Sequence, residues 1–372
     1  MDIFNIEIMI TKINYIASIL CWILIFNICG CTRKKNDYKD FNFSSRLMPI
    51  PKQAILKDSL YYIWGASPIK GDDNKYHLFY SRWKKELGFM AWVTHSEIAH
   101  AVSDSLLGPY TFSDIALPAR GNSFWDGTTT HNPTIHKFDN NYYLYYTGNC
   151  GDGINIKNSL NWSHRNSQRI GVAVSSSPYG PWKRFDRPLV DVSPDSTAFD
   201  ALATNNPSIA EMPDGKYLMV YKAVAKKNPL PFGGPVVHMT AISDSPIGPF
   251  LKNPKPIFTK EESDFPAEDP FIWYQNGRYY AIVKDMKGEF TKKGRSLALF
   301  TSKNGLDWSI SKHALVSDLK IYWKDGSCDS VAYLERPQLY IDKGKPKALF
   351  LAVSPTPDFE YTFNIHIPLK YK

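Results

Sequence analysis

The chain has 372 residues, a formal net charge of +8, and aromatic side chains at 14% of its length. That is enough for one large β domain or two smaller ones, and ample for a buried core. Part of the positive charge lies in one short run, Arg33-Lys-Lys35, so the remainder is modestly basic and gives a nucleic-acid role little support.

Lys12 precedes an apolar run, Tyr15–Phe26, which ends in Ile28-Cys-Gly-Cys31. A basic residue, an apolar run and small residues before a cut describe a secretory signal. The ending resembles a bacterial lipobox, in which the cysteine after the cut, here Cys31, carries lipid. A plain transmembrane anchor is the alternative, since the run approaches the lower length limit for spanning. Either reading places the body outside the cytoplasm, at a bacterial cell envelope, with the membrane touched only through the anchor. Residues 1–31 are therefore expected to be the signal, 32–50 a polar tether and 51–372 the folded body. Beyond the signal only Cys150 and Cys328 remain; they could pair in an oxidising compartment, and neither has zinc-ligand spacing.

After residue 50 no long stretch keeps helical periodicity, and one unit recurs. It is polar residue, proline, short strand, Asp/Asn/Gly turn, aromatic strand. The copies begin at Ile63–Tyr80, His131–Tyr146, Asn205–Tyr221, Phe265–Tyr280 and Glu335–Phe350. In the fourth, Asn276-Gly277 between β-rich runs is a strong hairpin signal. The prolines Pro68, Pro133, Pro207, Pro270 and Pro337 fall roughly 63 to 74 residues apart, which suits four strands plus loops. A second repeat runs in phase with the first: Ser103-Asp-Ser-Leu-Leu-Gly-Pro-Tyr110, Ser175–Trp182 and Ser243–Phe250, with Ser302–Trp308 as a variant. Each follows a third strand and turns the chain into a fourth. Five units of four antiparallel strands predict an all-β, five-bladed propeller; a β-sandwich is the competing architecture.

In a propeller the first strand of each blade lines the central channel, so the residues before each proline should ring one mouth of it. The expected ring is Ala66-Ser67, His131-Asn132, Asn205-Asn206, Glu268-Asp269 and Glu335-Arg336, with Arg82-Trp83, Lys222 and Lys284-Asp285 added from second-strand ends. The copies differ in what they carry. Asn-Pro in units two and three becomes Glu-Asp-Pro and Glu-Arg-Pro in four and five. Converging carboxylates are what glycoside hydrolysis needs: an acid for the leaving oxygen and a base for water, with a third able to hold up the acid's pKa. Asp269 and Glu335 are the ring candidates, and strand alternation is expected to turn Glu268 away. A base could come from Asp126, seven residues before Pro133. Asp200 stands at the same offset from Pro207, so an Asp there could equally be a blade-entry turn former. His131 could touch a hydroxyl or donate a proton near neutral pH. Asn132 is its ring neighbour, and Trp64, Trp83 and Trp125 are candidates to stack on a sugar. Arg82, Lys222, Lys284 and Arg336 make a cationic rim, suited either to an anionic glycan or to pairing with the site carboxylates.

These units, with Trp125-Asp126, Glu268-Asp269-Pro270 and Glu335-Arg336-Pro337, resemble the five-bladed propeller glycoside hydrolases of families 32, 43, 62, 68, 117 and 130, most closely 43 and 117. The pattern covers about residues 60–355. The resemblance implies an inverting hydrolase taking a terminal sugar from a plant or algal oligosaccharide. Asp126 would be base, Asp269 the pKa-tuning acid and Glu335 the general acid. It implies no required cofactor and a structural Ca2+ or Na+ in the channel. The chain departs from family 43 in lacking an acid at the start of unit one. That absence points to the alternative, a glycan-binding lipoprotein on the same scaffold; His131 and Arg336 leave a phosphorolytic enzyme as a third reading.

Overall fold

Each repeat folds as one four-stranded antiparallel sheet in the computed structural model, which describes residues 41–157 and 159–370. The signal, Cys31 and the start of the tether lie outside the described residues. The first strand, β1 (Ile55–Lys57), belongs to the last blade. Blade one is β2 (Tyr61–Lys70), β3 (Tyr76–Lys84), β4 (Glu97–Ser103) and β5 (Thr111–Leu117). Blade two is β6 (Thr129–Phe138), β7 (Asn141–Asn149), β8 (Arg169–Ser175) and β9 (Lys183–Arg184). Blade three is β10 (Ala203–Glu211), β11 (Tyr217–Val224), β12 (Val236–Ser243) and β13 (Leu251–Ile257). Blade four is β14 (Ala267–Gln275), β15 (Arg278–Asp285), β16 (Ser296–Ser302) and β17 (Trp308–Ser317). A two-stranded ribbon, β18 (Lys320–Tyr322) and β19 (Cys328–Ser330), leads to blade five: β20 (Tyr333–Asp342), β21 (Lys345–Ser354) and β22 (Phe363–Pro368), with β1 outermost. The two ends of the propeller are thus joined in one sheet, Leu56 opposite Asn364, which removes two open edges.

Strands β2, β6, β10, β14 and β20 neighbour one another in a closed ring around the axis. Apolar side chains pack between successive blades, as with Tyr145, Ile170 and Val172 of blade two against Ile209 and Met219 of blade three. The second repeat proves to be a turn device. Ser103, Ser175 and Ser243 each accept a hydrogen bond from the backbone two residues on, at 3.0, 3.1 and 3.1 Å. At the Asn276-Gly277 hairpin both residues have positive φ, 53° and 81°, which is the geometry a two-residue type I′ turn demands.

Two expectations about chain layout change. Residues 41–50 do not behave as tether: Phe43 is fully buried against Trp273, and the Ile50 N–H donates to Tyr322 O at 2.9 Å. Their apolar side chains, Phe41, Phe43, Leu47 and Ile50, belong to the core of blades four and five. Cys150 and Cys328 are both free thiols and do not pair.

Candidate functional site

Every first strand carries a β-bulge at the same place, between Trp64 and Ser67, His131 and Thr134, Asn205 and Ser208, Glu268 and Phe271, and Glu335 and Gln338. The first bulged residue is left-handed in all five blades: Gly65 (φ 60°), Asn132 (53°), Asn206 (50°), Asp269 (54°) and Arg336 (54°). Such bulges re-aim side chains, and the αL conformation suits Gly and Asn best. This register corrects the ring expected in blade one, where Trp64-Gly65 and not Ala66-Ser67 occupies the position of Glu268-Asp269. It also corrects Glu268. Strict alternation would turn that side chain away, but the bulge breaks alternation, and Glu268 and Asp269 both line the mouth.

The five bulge residues form a chain of contacts around the axis. Asn132 Nδ2 donates to Asn206 Oδ1 at 2.7 Å, and Asn206 Nδ2 donates to Asp269 Oδ1, also at 2.7 Å. Arg336 Nη1 donates to the same Asp269 oxygen at 3.2 Å. Gly65 adjoins Arg336: a Cβ there would stand 3.2 Å from Arg336 Nε. Below this ring the channel is filled by side chains, with Ser67 Oγ and Thr134 Oγ1 both donating to Gln338 Oε1 at 3.0 Å. Those oxygens are engaged with one another, and among the described residues no group of three or more His, Cys, Asp or Glu could cage a cation. A channel ion such as the Ca2+ or Na+ that the resemblance implied would have to rest mainly on backbone, amide, hydroxyl or water oxygens.

Above the ring opens a pocket of about 170 Å³. One wall is aromatic: Trp64, Trp83, Phe89, Trp92 and Phe359, with the Phe89 and Phe359 rings stacked at 3.9 Å. The other wall is ionic. Glu268 takes Lys222 on one oxygen at 2.6 Å and Lys284 on the other at 2.7 Å. Lys284 also reaches Glu335 at 2.8 Å, and Arg295 meets the same Glu335 oxygen at 2.9 Å. Burial by itself would raise the pKa of Glu268, but Lys222 and Lys284 outweigh it and hold this carboxyl well below the usual range. Burial also dominates at Glu335, and there it prevails: with Asp269 and Glu268 nearby, and Lys284 opposing, the carboxyl is raised. Burial works against the charge on Lys284, yet Glu268, Glu335 and Asp269 more than compensate and raise it. Two neighbouring glutamates thus share one lysine and are driven in opposite directions.

His131 lies in the pocket wall but cannot supply a proton near neutrality. Burial, with Arg336 and Lys222 adding to it, pushes its pKa down to about 3. Gln168 gives its Oε1 to Asn205 and donates through Nε2 to His131 Nε2 at 3.1 Å, which places the imidazole proton on Nδ1.

Four of the candidate site residues are elsewhere. Asp126 is fully buried at the entry to blade two, held by Arg120 at 2.6 Å, Tyr146 at 2.7 Å and Arg184 at 3.4 Å. Asp200 repeats that arrangement at blade three, with Tyr221 at 3.2 Å and Lys252 at 2.6 Å. The two share an offset and a buried, ion-paired setting at blade entry, and neither lines the pocket. Trp125 stacks on Tyr146 between blades and donates to Phe185 O, outside the pocket. Arg82 pairs with Glu97 at 3.0 Å and packs on Tyr61 and Phe112, outside the pocket. The pocket does assemble Asp269, Glu335, His131, Asn132, Lys222 and Arg336, with Lys284 bound to its carboxylates.

Several pocket residues were not foreseen. Phe89 and Trp92 come from the segment between β3 and β4, where a one-turn helix, α1 (Trp92–His95), is brought against β6. Gln168 follows a second short helix, α2 (Trp162–Asn166), N-capped by Asn161. Phe359 comes from the loop before β22. An aromatic cluster in a loop, Phe89-Met-Ala-Trp92, was the one available signal.

No protein-family model matches the chain, and no curated protein matches it in sequence. Solved structures do match in fold. A family 117 glycoside hydrolase, Zg3597, produced by the marine bacterium Zobellia galactanivorans, aligns over 86% of this chain and 88% of its own, at 16% identity and a TM-score of 0.58. A thermostable family-43 glycoside hydrolase aligns over 88% and 93%, at 15% identity and a TM-score of 0.58. An alpha-L-arabinofuranosidase from Lactobacillus brevis aligns over 87% and 94%, at 12% identity and a TM-score of 0.56. The chain shares the five-bladed propeller of these glycoside hydrolases over nearly its whole described length.

Proposed function

We propose that the protein is a glycoside hydrolase acting on an oligosaccharide at the propeller mouth. The observation that carries this is the divergence of Glu335 and Glu268, one carboxyl raised and its neighbour lowered within a single aromatic-walled pocket. Environments that separate two carboxyls in this way supply a proton donor beside a fixed negative charge. Glu335 is the general acid. Glu268 is not the base, because both its oxygens are taken by lysines. Its shared lysine also keeps the contacting oxygens of Glu268 and Glu335 closer than the roughly 6.5–9.5 Å that a water-activating inverting pair spans. Asp269 fits the base better: Asn206 and Arg336 both bond Oδ1, leaving Oδ2 to orient a water. A single pocket closed below by the ring favours removal of a terminal sugar. The first 31 residues support export and attachment of the enzyme to the outside of a bacterial cell by lipid on Cys31.

The test is cleavage of a panel of released oligosaccharides and aryl glycosides by wild type, Glu335→Gln and Asp269→Asn, with product anomers followed by NMR. Both variants should lose at least about a hundredfold in rate, and the first product should have inverted configuration. Undiminished cleavage in both variants would remove the assignment. A second reading, a glycan-binding protein without catalysis, is favoured by one feature: blade one presents Trp64-Gly65 where an acid would stand. Binding without cleavage in wild type would establish it.

A further inference from the structure

We propose that the sugar accepted by this pocket carries a carboxylate, gripped side-on by Nε and Nη2 of Arg336; this rests on the reading of the pocket as an oligosaccharide site. The guanidinium is almost wholly enclosed, at 2% exposure, and uses one nitrogen, Nη1, to bond Asp269. Nε and Nη2 are buried and have no hydrogen-bond partner. His131 Nδ1, which bears the imidazole proton, is buried and unpartnered too. A buried donor left without a partner is costly, and more so on a charged group. The orphans that line this pocket are therefore N–H groups, and a ligand that satisfies them must bring acceptors.

The charge balance points the same way. Four cations, Lys222, Lys284, Arg295 and Arg336, contact three carboxylates, Glu268, Asp269 and Glu335. One positive charge is left over while Glu335 is ionised, and two once it holds its proton as the general acid; Arg336, its side chain 3% exposed, is the most buried of the four cations, and a buried charge calls for a counter-charge. A neutral sugar could accept a hydrogen bond but would leave that surplus unanswered. A carboxylate answers both. Its two oxygens match the parallel N–H pair on one edge of a guanidinium, the geometry for which Arg exceeds Lys. Gly65 puts no side chain against this edge. The four other blades place Asn, Asn, Asp and Arg at this position of the ring, whereas any Cβ at residue 65 would press on Arg336 Nε at 3.2 Å.

The experiment compares matched ligands on the full chain in detergent, by calorimetry and thermal shift: glucuronate against glucose, and galacturonate against galactose. Wild type should bind a uronate at least about tenfold more tightly than its neutral partner. Arg336→Lys, which keeps the charge beside Asp269 but loses the fork, should bring the pair within about twofold. Equal binding of the two partners by wild type overturns the proposal, and does so without touching the hydrolase reading if neutral glycans are cleaved. Retention of the preference in Arg336→Lys also overturns it. Should that variant fail to fold, the wild-type comparison decides alone. Uronate preference without cleavage of any substrate would sink the hydrolase reading and leave this one standing. Inorganic phosphate and a sulfated monosaccharide serve as further arms; protection by either at least equal to the uronate's would reassign the free edge to a tetrahedral oxyanion and refute the carboxylate.

Discussion

Lys284 is the residue whose loss the site should feel most. Its ammonium lies 2.7 Å from Glu268 and 2.8 Å from Glu335, with its side chain 5% exposed. Lys284→Met removes the cation and keeps much of the apolar stem. Glu268 retains Lys222, and Glu335 retains Arg295, so neither carboxylate is stranded completely. Breaking a buried ion pair from one side costs about 3–5 kcal/mol, and the remaining partners place the expected loss near the lower end, about 3 kcal/mol at pH 7. The pH dependence is the more specific signature. In wild type the lowered pKa of Glu268 contributes stability that is present above the unfolded value and lost as pH falls through the folded one. Without Lys284 the pKa of both glutamates rises, so protonation relieves the variant as pH falls, by up to about 1.4 kcal/mol per pH unit for each proton taken up. The deficit measured by urea unfolding should therefore be largest at pH 7 and shrink clearly by pH 5. Adding Glu335→Gln to Lys284→Met should recover about 1–3 kcal/mol of the loss in a double-mutant cycle. A deficit below about 1 kcal/mol at pH 7, or one independent of pH, would refute the account of a shared buried lysine.

Asp126→Asn tests the reassignment of that residue: stability should fall by about 3 kcal/mol while the folded fraction keeps its turnover within about twofold, and a loss of about a hundredfold at unchanged stability would return Asp126 to catalysis. Acid should destabilise the propeller through its buried histidines. His131 and His238 are held down to about 3, His136 and His366 to about 4, all chiefly by burial. The unfolded chain takes up these protons near 6.5 and the folded one does not, so the stability is whole above that pH and falls below it, by about 2 kcal/mol per histidine at pH 5. Among the described carboxyls only Glu335, with its raised pKa, opposes this, and a melting temperature unchanged from pH 7 to pH 5 would contradict it. Phe43→Ala should cost about 3–5 kcal/mol in chemical unfolding, because that ring is fully buried on Trp273; no measurable effect would mean residues 41–50 are tether after all.

The blade was legible in the chain because its determinants are local. A proline within each first strand, Asn276-Gly277 at φ angles only such residues adopt readily, and Ser103, Ser175 and Ser243 capping turns two residues on are all local signals. Repetition multiplied these signals until the blade count followed. Asp269 and Glu335 were legible as a contrast between copies. Which neighbours join them was not, because that depends on a bulge that suspends strand alternation. Glu268 is turned into the pocket by it, and Trp64-Gly65 is brought to the place that proline spacing alone assigned to Ala66-Ser67. Asp126 shows the converse: an acid at a suggestive offset was a spacing fact, and only the packing of Arg120, Tyr146 and Arg184 around it placed it outside the pocket. Local sequence determined the hairpins and their number. The opposite pKa shifts of Glu335 and Glu268, and the unpartnered edge of Arg336, were decided by residues from four blades meeting at one mouth, where low dielectric makes each contact count and no sequence spacing records it.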